Sequence, residues 1–241
     1  MNGNLFEVTC ERPWLLARFA SVQRMLSWSL NRPGLVHGRT VAWLEVGNEE
    51  LRHAADPAAW FRRRMEDRGV PDAVGLMTAR NVACHEHAAA ACENVRAECL
   101  VTLGLNNGER VGRRVGAQFH PLNAGTINIL CAVSTPLTDT ALLEALSLAT
   151  QARTVALAEL AYRRPGRQEI VTGTGTDCIV VSAPAAGEGE AFAGMHTAIG
   201  EAIGASVLRA TAVAAAQWCA EATGERGAVT SLSSTRSMSG T

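Results

Sequence analysis

The sequence predicts an α/β or α+β single domain, in which a mixed β-sheet of about eight short strands carries two long helices packed on it. Three observations predict this class. The chain has 241 residues, 47% of them hydrophobic, which is enough for one large core. Short apolar runs alternate with loops rich in glycine, threonine and asparagine, which indicates strands. Two longer segments repeat their apolar residues with helical spacing, and such helices pack on sheets as layers.

The N-terminal third is predicted to hold strands and one helix. A turn at residues 31–34 punctuates the strands, because it contains Pro33 and Gly34. The helix runs from Pro57 to residue 68, with Asp56 as its N-cap and Gly69 as its stop. The predicted strands are residues 6–10, 14–19, 24–30 and 39–46.

The remainder alternates further strands with two long helices. The first helix spans about 139–164 with Thr138 as N-cap, and the second spans about 197–223 with Gly224 as its stop. The predicted domain is therefore residues 1–226, followed by a disordered Ser/Thr/Gly-rich tail at 227–241. The predicted strands are residues 73–78, 98–105, 127–133 and 178–182.

The charged residues exclude several mechanisms. Twenty-two basic residues face 23 acidic ones, and every basic residue is an arginine, since the sequence contains no lysine. A Schiff-base lysine, a P-loop lysine and a Ser–Lys amidase dyad are therefore excluded. The net charge of −1 and the aromatic content of 5% argue against a nucleic-acid partner.

Cysteine usage and the N-terminus predict a cytoplasmic protein. Seven irregularly spaced cysteines are typical of reduced thiols, and charged residues interrupt any signal-peptide core near the N-terminus. The alanine-rich run at 202–220 carries Arg209 and is interpreted as a packed helix, so no membrane partner is expected. Its small-residue face suits either the sheet or a second subunit, which leaves a homo-oligomer open.

Several predicted strands end in threonine, glycine or asparagine instead of charged residues. Hydroxyl and amide groups donate and accept hydrogen bonds without net charge, and small residues leave room for a ligand. If these ends converge, they suit a large, neutral, amide-rich ligand. Each segment alone is more often an ordinary tight turn.

Two segments carry the candidate chemistry. The loop at 172–178 reads Thr-Gly-Thr-Gly-Thr-Asp-Cys, and its backbone N–H groups could form an oxyanion hole. Asp177 could be a general base or could bond the loop's own N–H groups, the commoner role for such a residue. His196 precedes the last helix, where the dipole favours the neutral imidazole of a general base, and a capping histidine is an equal alternative.

A cluster of possible metal ligands has the wrong spacing. Residues 84–87 read Cys-His-Glu-His, which is neither a H-E-x-x-H motif nor a paired C-x-x-C motif. No metal is therefore expected. Cys178 is more often an inert core thiol than a nucleophile in such an apolar strand.

Three motifs together resemble the CbiZ family, the adenosylcobinamide amidohydrolases. They are Gly-Thr-Ile-Asn-Ile at 125–129, the 172–177 loop, and Ala-Gly-Met-His-Thr-Ala-Ile-Gly-Glu-Ala-Ile-Gly at 193–204. Segments at 26–29, 74–79 and 101–107 also resemble the family, in the same order, so the likeness covers most of residues 5–220.

The resemblance implies an activity. These enzymes hydrolyse the amide that joins aminopropanol to the corrin ring of adenosylcobinamide, which gives adenosylcobyric acid in corrinoid salvage. The corrinoid is the expected small-molecule partner as substrate, and no cofactor is implied. An amidohydrolase with a different amide substrate and a non-catalytic corrinoid-binding protein are the alternatives.

Three segments depart from the family pattern. Gln151 and Arg153 stand where a glutamate and a lysine are expected, and Glu45 stands where an asparagine is expected. Asn-Asn-Gly at 106–108 replaces Ser-Asn-Ala. A lost catalytic glutamate would alter the activity, whereas a structural one could be replaced by the Gln/Arg pair.

The family-like segments suggest roles for particular residues. Asp177 and His196 are the predicted catalytic acid and base, and the loop's N–H groups are predicted to hold the oxyanion. A covalent route through Thr126 or Thr176, with His196 as base, stays open. The predicted substrate-binding residues are Ser27, Thr102, Asn107, Gly125, Thr126, Asn128, Gly173, Thr174, Gly175 and Thr176.

Overall fold

A computed structural model of the chain describes residues 3–47, 50, 56–113 and 125–236, with side chains described as far as residue 224. The helices are α1 (Pro57–Asp67), α2 (Asp139–Leu160) and α3 (Ala198–Arg236), and a 3₁₀ turn spans Val82–Cys84. The strands are β1 (Glu7–Glu11), β2 (Trp14–Ser27), β3 (Gly34–Glu45), β4 (Val74–Thr78), β5 (Glu86–Cys92), β6 (Val95–Leu103), β7 (Gly108–Glu109), β8 (Ile127–Val133), β9 (Gly173–Thr174) and β10 (Cys178–Pro184).

The predicted fold class is confirmed, with differences inside the sheet. Eight strands form one mixed sheet, while β7 and β9 form a separate two-stranded ribbon. The predicted strands at 14–19 and 24–30 are one strand, β2, whose register shifts between Arg18 and Gln23. Strand β5 was not predicted, because its four consecutive alanines at 88–91 lack the β-branched side chains typical of strands.

The sheet folds over on itself at the bend in β2. Its strand order is β4-β3-β2-β10-β8-β6-β5, with β1 paired to β2. Strands β4 and β8 are thus far apart along the order, yet Asn128 Nδ2 of β8 donates a 2.7 Å hydrogen bond to the Met77 carbonyl of β4. This contact requires the two ends of the sheet to face each other.

The folded sheet and its helices form four layers. The half made of β1, β4 and the adjoining parts of β2 and β3 faces the half made of β10, β8, β6 and β5 across one apolar cluster, which includes Leu15, Trp43, Leu100 and Leu130. Because strand side chains alternate, the outer face of each half is free for helices. Helix α1 packs Phe61 on the first half, and α2 and α3 cover the second.

The helix starts agree with the sequence better than the helix ends. Thr138 caps α2 by accepting from Ala141 N at 3.2 Å, and Asp56 caps α1. Helix α2 ends earlier than predicted, because Ala161 adopts a left-handed conformation with φ 54°.

The predicted stop of the last helix at Gly224 is wrong, since α3 continues to Arg236. Gly224 and Gly227 each cost only about 1 kcal/mol in a helix, and the glutamate and arginine between them favour continuation. The backbone of residues 227–236, predicted as a disordered tail, is thus helical; residues 237–241 lie outside the described residues, and the domain boundary stays a prediction.

Helix α3 is also the one described helix whose length and composition would allow it to cross a membrane, over Ala198–Gly224. However, 56% of its most apolar window is buried inside the protein. It packs on β5, β6 and α2, as a core helix does.

The four-layer arrangement predicts where a cavity is costly. Leu130→Ala is expected to lower the free energy of unfolding by about 2–5 kcal/mol, because it empties space between the two sheet halves. Leu143→Ala on α2 is the control: Leu143 is 59% exposed, and its loss should cost within about 0.5 kcal/mol. Equilibrium unfolding in urea measures both, and equal effects would contradict the arrangement.

Candidate functional site

Three segments meet at one end of the folded sheet. Asn128 is paired with Cys178 in the parallel β8–β10 ladder and with Thr102 in the antiparallel β8–β6 ladder. The start of β8, the start of β10 and the end of β6 therefore lie side by side. This register brings the 172–177 loop, residues 104–107 and residues 125–126 to the same edge, as the sequence required for a shared site.

Asp177 is the most densely bonded group at this edge. Its side chain is only 9% exposed and forms an ion pair with Arg153 of α2. Oδ1 accepts from Ile127 N at 3.2 Å, both carboxylate oxygens lie 3.1 Å from Thr174 N, and the Thr174 hydroxyl donates to Oδ1. Asp177 thus bonds the loop's own N–H group and also ties the loop to α2 and β8.

Gly173 makes the Arg153–Asp177 contact possible. A Cβ at position 173 would overlap the Arg153 guanidinium and would lie 2.9 Å from Asp177 Oδ2. Only glycine leaves room for an arginine and a carboxylate against this stretch of backbone. Gly175, two residues on, has open space around it. Steric crowding therefore requires glycine at position 173 but not at position 175.

Burial dominates the acid–base properties of the loop. It raises the pKa of Asp177 above its ordinary value, against the opposing effects of Arg153 and the hydrogen bonds from Thr174 and Ile127. Burial also raises the pKa of the neighbouring Cys178 thiol to about 12. Cys178 is therefore a neutral thiol near pH 7, which suits the inert role that the sequence favoured.

Threonine hydroxyls and backbone carbonyls fasten the 172–177 loop to the start of β8. Thr126 Oγ1 donates to the Thr176 carbonyl at 2.8 Å, and Thr176 Oγ1 donates to the Gly125 carbonyl at 3.2 Å. Asn107 Nδ2 approaches Thr176 Oγ1 at 3.4 Å. The predicted residues Asn107, Gly125, Thr126 and Thr176 are thus in contact with one another.

Three other predicted binding residues are buried beneath this surface. Asn128 and Thr102 are 1% and 0% exposed, and the Asn128 amide is occupied by the Met77 carbonyl. Ser27 is also buried and accepts from Ser29 N at 3.3 Å. Thr102 Oγ1 and Asn107 Oδ1 are buried without a hydrogen-bond partner, the kind of unsatisfied group that functional sites retain.

The loop leaves two N–H groups directed to no protein acceptor. Thr174 N is used by Asp177, and Gly173 lies in the β7–β9 ladder. Gly175 and Thr176 are exposed, and their N–H groups have no acceptor among the residues that the structure describes. Of the predicted oxyanion donors at 173–176, these two remain available.

The structure does not bring His196 to Asp177. Ala193 N, three residues before it, donates to Glu144 Oε2 at 2.7 Å near the start of α2. Arg153, which meets Asp177, lies nine residues further along that helix, or about 13 Å along its axis. His196 is exposed and stands just before α3, whose Trp218 borders the cleft at Gly125 about 30 Å further along the helix axis, so the structure does not place the two predicted catalytic residues side by side.

A small cleft opens beside Thr126. It has a volume of about 190 Å³ and is bordered by Gly104, Gly125 and Trp218. Arg80 and Glu221 form an ion pair at its rim, which joins the end of β4 to α3. Trp28 lies near the same edge: its indole N–H donates to the Asp177 carbonyl at 2.6 Å while 47% of the residue stays exposed.

The departures from the family pattern have different surroundings. Gln151 is exposed and donates to Ser147 Oγ at 3.2 Å, so it does not contact Asp177. Glu45 pairs with Arg12 and accepts from Val82 N at 3.2 Å, and the Arg12 hydrogen bond lowers the pKa of Glu45. Of the departures, Arg153 reaches the loop through Asp177, and Gly108 reaches it by pairing with Thr174.

The His/Cys cluster at 84–87 is not assembled as a metal site. His85 Nδ1 lies 2.8 Å from the Val82 carbonyl, while His87 Nε2 lies 3.0 Å from Glu98 Oε2 on another strand. Within the described part of the chain, no three His, Cys, Asp or Glu side chains are grouped to hold an ion.

Sequence reasoning missed the role of Arg153, although the sequence contained its signal. Position 153 falls on the apolar stripe of α2, four residues after Ala149 and three before Ala156. An arginine on a buried stripe needs a carboxylate partner. The cleft residues Arg80, Trp218 and Glu221 carried no such signal, because they come from distant segments.

Comparisons with known proteins agree with the resemblance. A profile described as adenosylcobinamide amidohydrolase matches residues 2–223. The uncharacterized protein MJ1613 of Methanocaldococcus jannaschii is 42% identical over 86 residues, which are 35% of this chain and 33% of that protein. The chain therefore matches about a third of that relative's length.

Two solved structures align with most of the chain at low identity. A beta-aminopeptidase of a Burkholderia species is 14% identical, with a TM-score of 0.41, over 83% of this chain and 78% of that one. The L-aminopeptidase D-Ala-esterase/amidase of Ochrobactrum anthropi, described as a variant of the Ntn hydrolase fold, is 11% identical, with a TM-score of 0.40, over 87% and 82%. With the profile covering nearly the whole chain, this protein belongs to the CbiZ family of adenosylcobinamide amidohydrolases.

Proposed function

We propose that the protein hydrolyses the amide between aminopropanol and the corrin ring of adenosylcobinamide. Water adds to the carbonyl carbon, the C–N bond breaks, and adenosylcobyric acid and aminopropanol are released. The observation that carries the proposal is the buried Asp177, held by Arg153 beside the two open N–H groups of Gly175 and Thr176, in a chain of this family.

The proposed mechanism assigns one task to each of these groups. The N–H groups of Gly175 and Thr176 bind the carbonyl oxygen as it becomes an oxyanion. Asp177 takes a proton from the attacking water and returns it to the leaving amine, and its raised pKa suits both transfers. Direct attack is favoured over a covalent route through Thr126, because the Thr126 hydroxyl proton points to a carbonyl and not to a base.

The surface beside Asp177 supports a substrate whose corrin ring stays outside the protein. The neighbouring cleft of about 190 Å³ is smaller than the roughly 300–1,000 Å³ pockets that enclose drug-sized ligands. Gly125 borders this cleft, but Asp177, Gly175 and Thr176 do not, so the amide arm meets these three groups on the loop beside the cleft. The exposed face of Trp28, fixed beside Asp177, offers an apolar surface to the planar ring.

The central experiment is a mass-spectrometric product assay with adenosylcobinamide. Asp177→Asn is expected to slow release of aminopropanol by about 100-fold or more, the usual contribution of a general acid–base group. His196→Ala is the matched control and should keep the wild-type rate. Near wild-type rates in Asp177→Asn would overturn the assignment of Asp177. A shift in corrinoid absorbance without release of product would indicate that the protein binds corrinoids and does not hydrolyse them.

The two loop glycines provide a test of the geometry. Gly173→Ala is expected to abolish most activity, because its Cβ overlaps the Arg153 guanidinium and breaks the ion pair with Asp177. Gly175→Ala adds the same methyl group in open space and should retain activity. Steady-state rates on adenosylcobinamide compare them, and equal losses would show that loop flexibility matters more than the ion pair.

The Arg153–Asp177 pair also predicts a pH effect. The reaction needs ionised Asp177, so the rate falls as the pH drops through its pKa. Because Arg153 holds that pKa down against burial, Arg153→Met should move the acidic limb of the kcat/KM profile to higher pH. Arg153→Lys keeps a positive charge and should move the limb less. A limb that stays in place in Arg153→Met would contradict the role of the pair.

A further inference from the structure

We propose that a second cavity, bordered by Gly108 of the β7–β9 ribbon, binds a phosphoryl group. The cavity has a volume of about 180 Å³ and is lined by four arginines and a single carboxylate. The lining residues are Gly108, Arg110, Arg113, Arg164, Arg167, Glu169 and Val171. These four arginines lie outside the family-like segments, and the proposed hydrolysis gives them no role.

Two tight turns place the four arginines. In the first turn, Arg113 N donates to the Arg110 carbonyl at 3.0 Å, and in the second, Arg167 N donates to the Arg164 carbonyl at 3.0 Å. Each turn contains a glycine with positive φ, Gly112 in one case and Gly166 in the other. Both turns therefore carry an arginine at their first and fourth positions, and the fold brings the two pairs together.

The cavity walls are fixed to one short stretch of chain, residues 171–174. Val111 N donates to Thr172 Oγ1 at 2.8 Å and Thr172 N donates to the Glu109 carbonyl at 2.8 Å, which anchors the first turn. Val171 N donates to the Tyr162 carbonyl at 2.9 Å, which anchors the second. The arginines thus project from a prearranged backbone.

The cavity has more positive than negative charge, because four arginines face Glu169 in the lining and Glu109 beside it. Arg164 lies 3.8 Å from Glu109 Oε1 and near the C-terminal end of α2, where the helix dipole favours a cation. Arg110, Arg113 and Arg167 are exposed and have no ion-pair partner among the described residues. Packing four guanidinium groups around one small space is unfavourable unless an anion joins them.

The number and shape of the donors indicate the class of anion. Guanidinium groups bind carboxylate and phosphate oxygens in pairs of parallel hydrogen bonds. Four of them offer more donors than a single carboxylate can accept, whereas a phosphoryl or pyrophosphoryl group presents enough oxygens. A cavity of this volume takes that group and leaves the rest of a larger ligand outside.

The ribbon links this cavity to the proposed active site. Gly108 and Glu109 pair with Thr174 and Gly173, and Gly173 packs against Arg153 and Asp177. The phosphoryl group could belong to a corrinoid whose aminopropanol arm is phosphorylated, a source that rests on the proposed function. It could instead be free phosphate or pyrophosphate, whose binding would change the hydrolysis rate through the β7–β9 ribbon. Both sources need the same four arginines.

Calorimetric titration with pyrophosphate at low ionic strength tests the site without any corrinoid. The double variant Arg110→Ala/Arg113→Ala is expected to bind pyrophosphate about tenfold or more weakly than the wild type, since hydrogen bonds to charged groups are lost. Arg62→Ala/Arg63→Ala is the matched control, because it removes two exposed arginines from α1 and should bind normally. No binding by the wild type, or equal weakening in both double variants, would overturn the proposal.

A kinetic comparison then identifies the source of the phosphoryl group. If the substrate supplies it, Arg110→Ala/Arg113→Ala should raise KM for the phosphorylated corrinoid and leave KM for adenosylcobinamide unchanged. If free anion is the ligand, pyrophosphate should change the rate on adenosylcobinamide in the wild type and not in this variant. Lack of hydrolysis of either corrinoid would refute the proposed function, while the titration would still decide the anion site.

Discussion

The site depends on one buried ion pair, Arg153 with Asp177. Taking both charges out of water is costly, and breaking such a pair by removing one partner typically costs about 3–5 kcal/mol. The arrangement persists because Ile127 and Thr174 also donate to the carboxylate and because Gly173 leaves room for the guanidinium. Through these contacts α2, the 172–177 loop and the start of β8 hold a single geometry. The open N–H groups of Gly175 and Thr176 are consequences of that geometry.

The four-layer fold explains how such a pair can be assembled. The bend in β2 turns one sheet back on itself, so that Asn128 reaches across to β4 and the strand ends carrying threonine and glycine share one edge. The parallel pairing of β8 with β10 then places Thr126 beside Thr176 and Ile127 beside Asp177. Helix α2, which covers the outer face of the sheet, supplies Arg153. Each layer therefore contributes a part that the others cannot.

Local elements could be predicted from the sequence to the extent that their signals are local. Strand β8 has the predicted bounds Ile127–Val133, and Asp56 and Thr138 are the N-caps of α1 and α2 as predicted. Such features can be predicted because the residues that determine them lie within a few positions of one another in the sequence. The folding of the sheet onto itself could not be predicted from the sequence, since it depends on a contact between Asn128 and Met77 in strands far apart in the sheet.

His196 shows the same limit of sequence-based prediction. Its segment resembles the family as closely as the 172–177 loop does, yet only the folded chain reveals that it lies away from Asp177. Arg153 is different, because its place on the apolar stripe of α2 was visible in the sequence and required a buried carboxylate.

The replacement of the family's expected lysine by Arg153 is consistent with a working site. An arginine stays charged and offers a planar set of donors, which suits a buried carboxylate more than a titrating amine does. A double-mutant cycle on adenosylcobinamide hydrolysis tests this account most directly, with Arg153→Met, Asp177→Asn and the combined variant compared with the wild type. If the pair acts as a unit, the combined variant should lose no more activity than Asp177→Asn alone. Losses that simply add would show that the two residues act independently and would contradict the account.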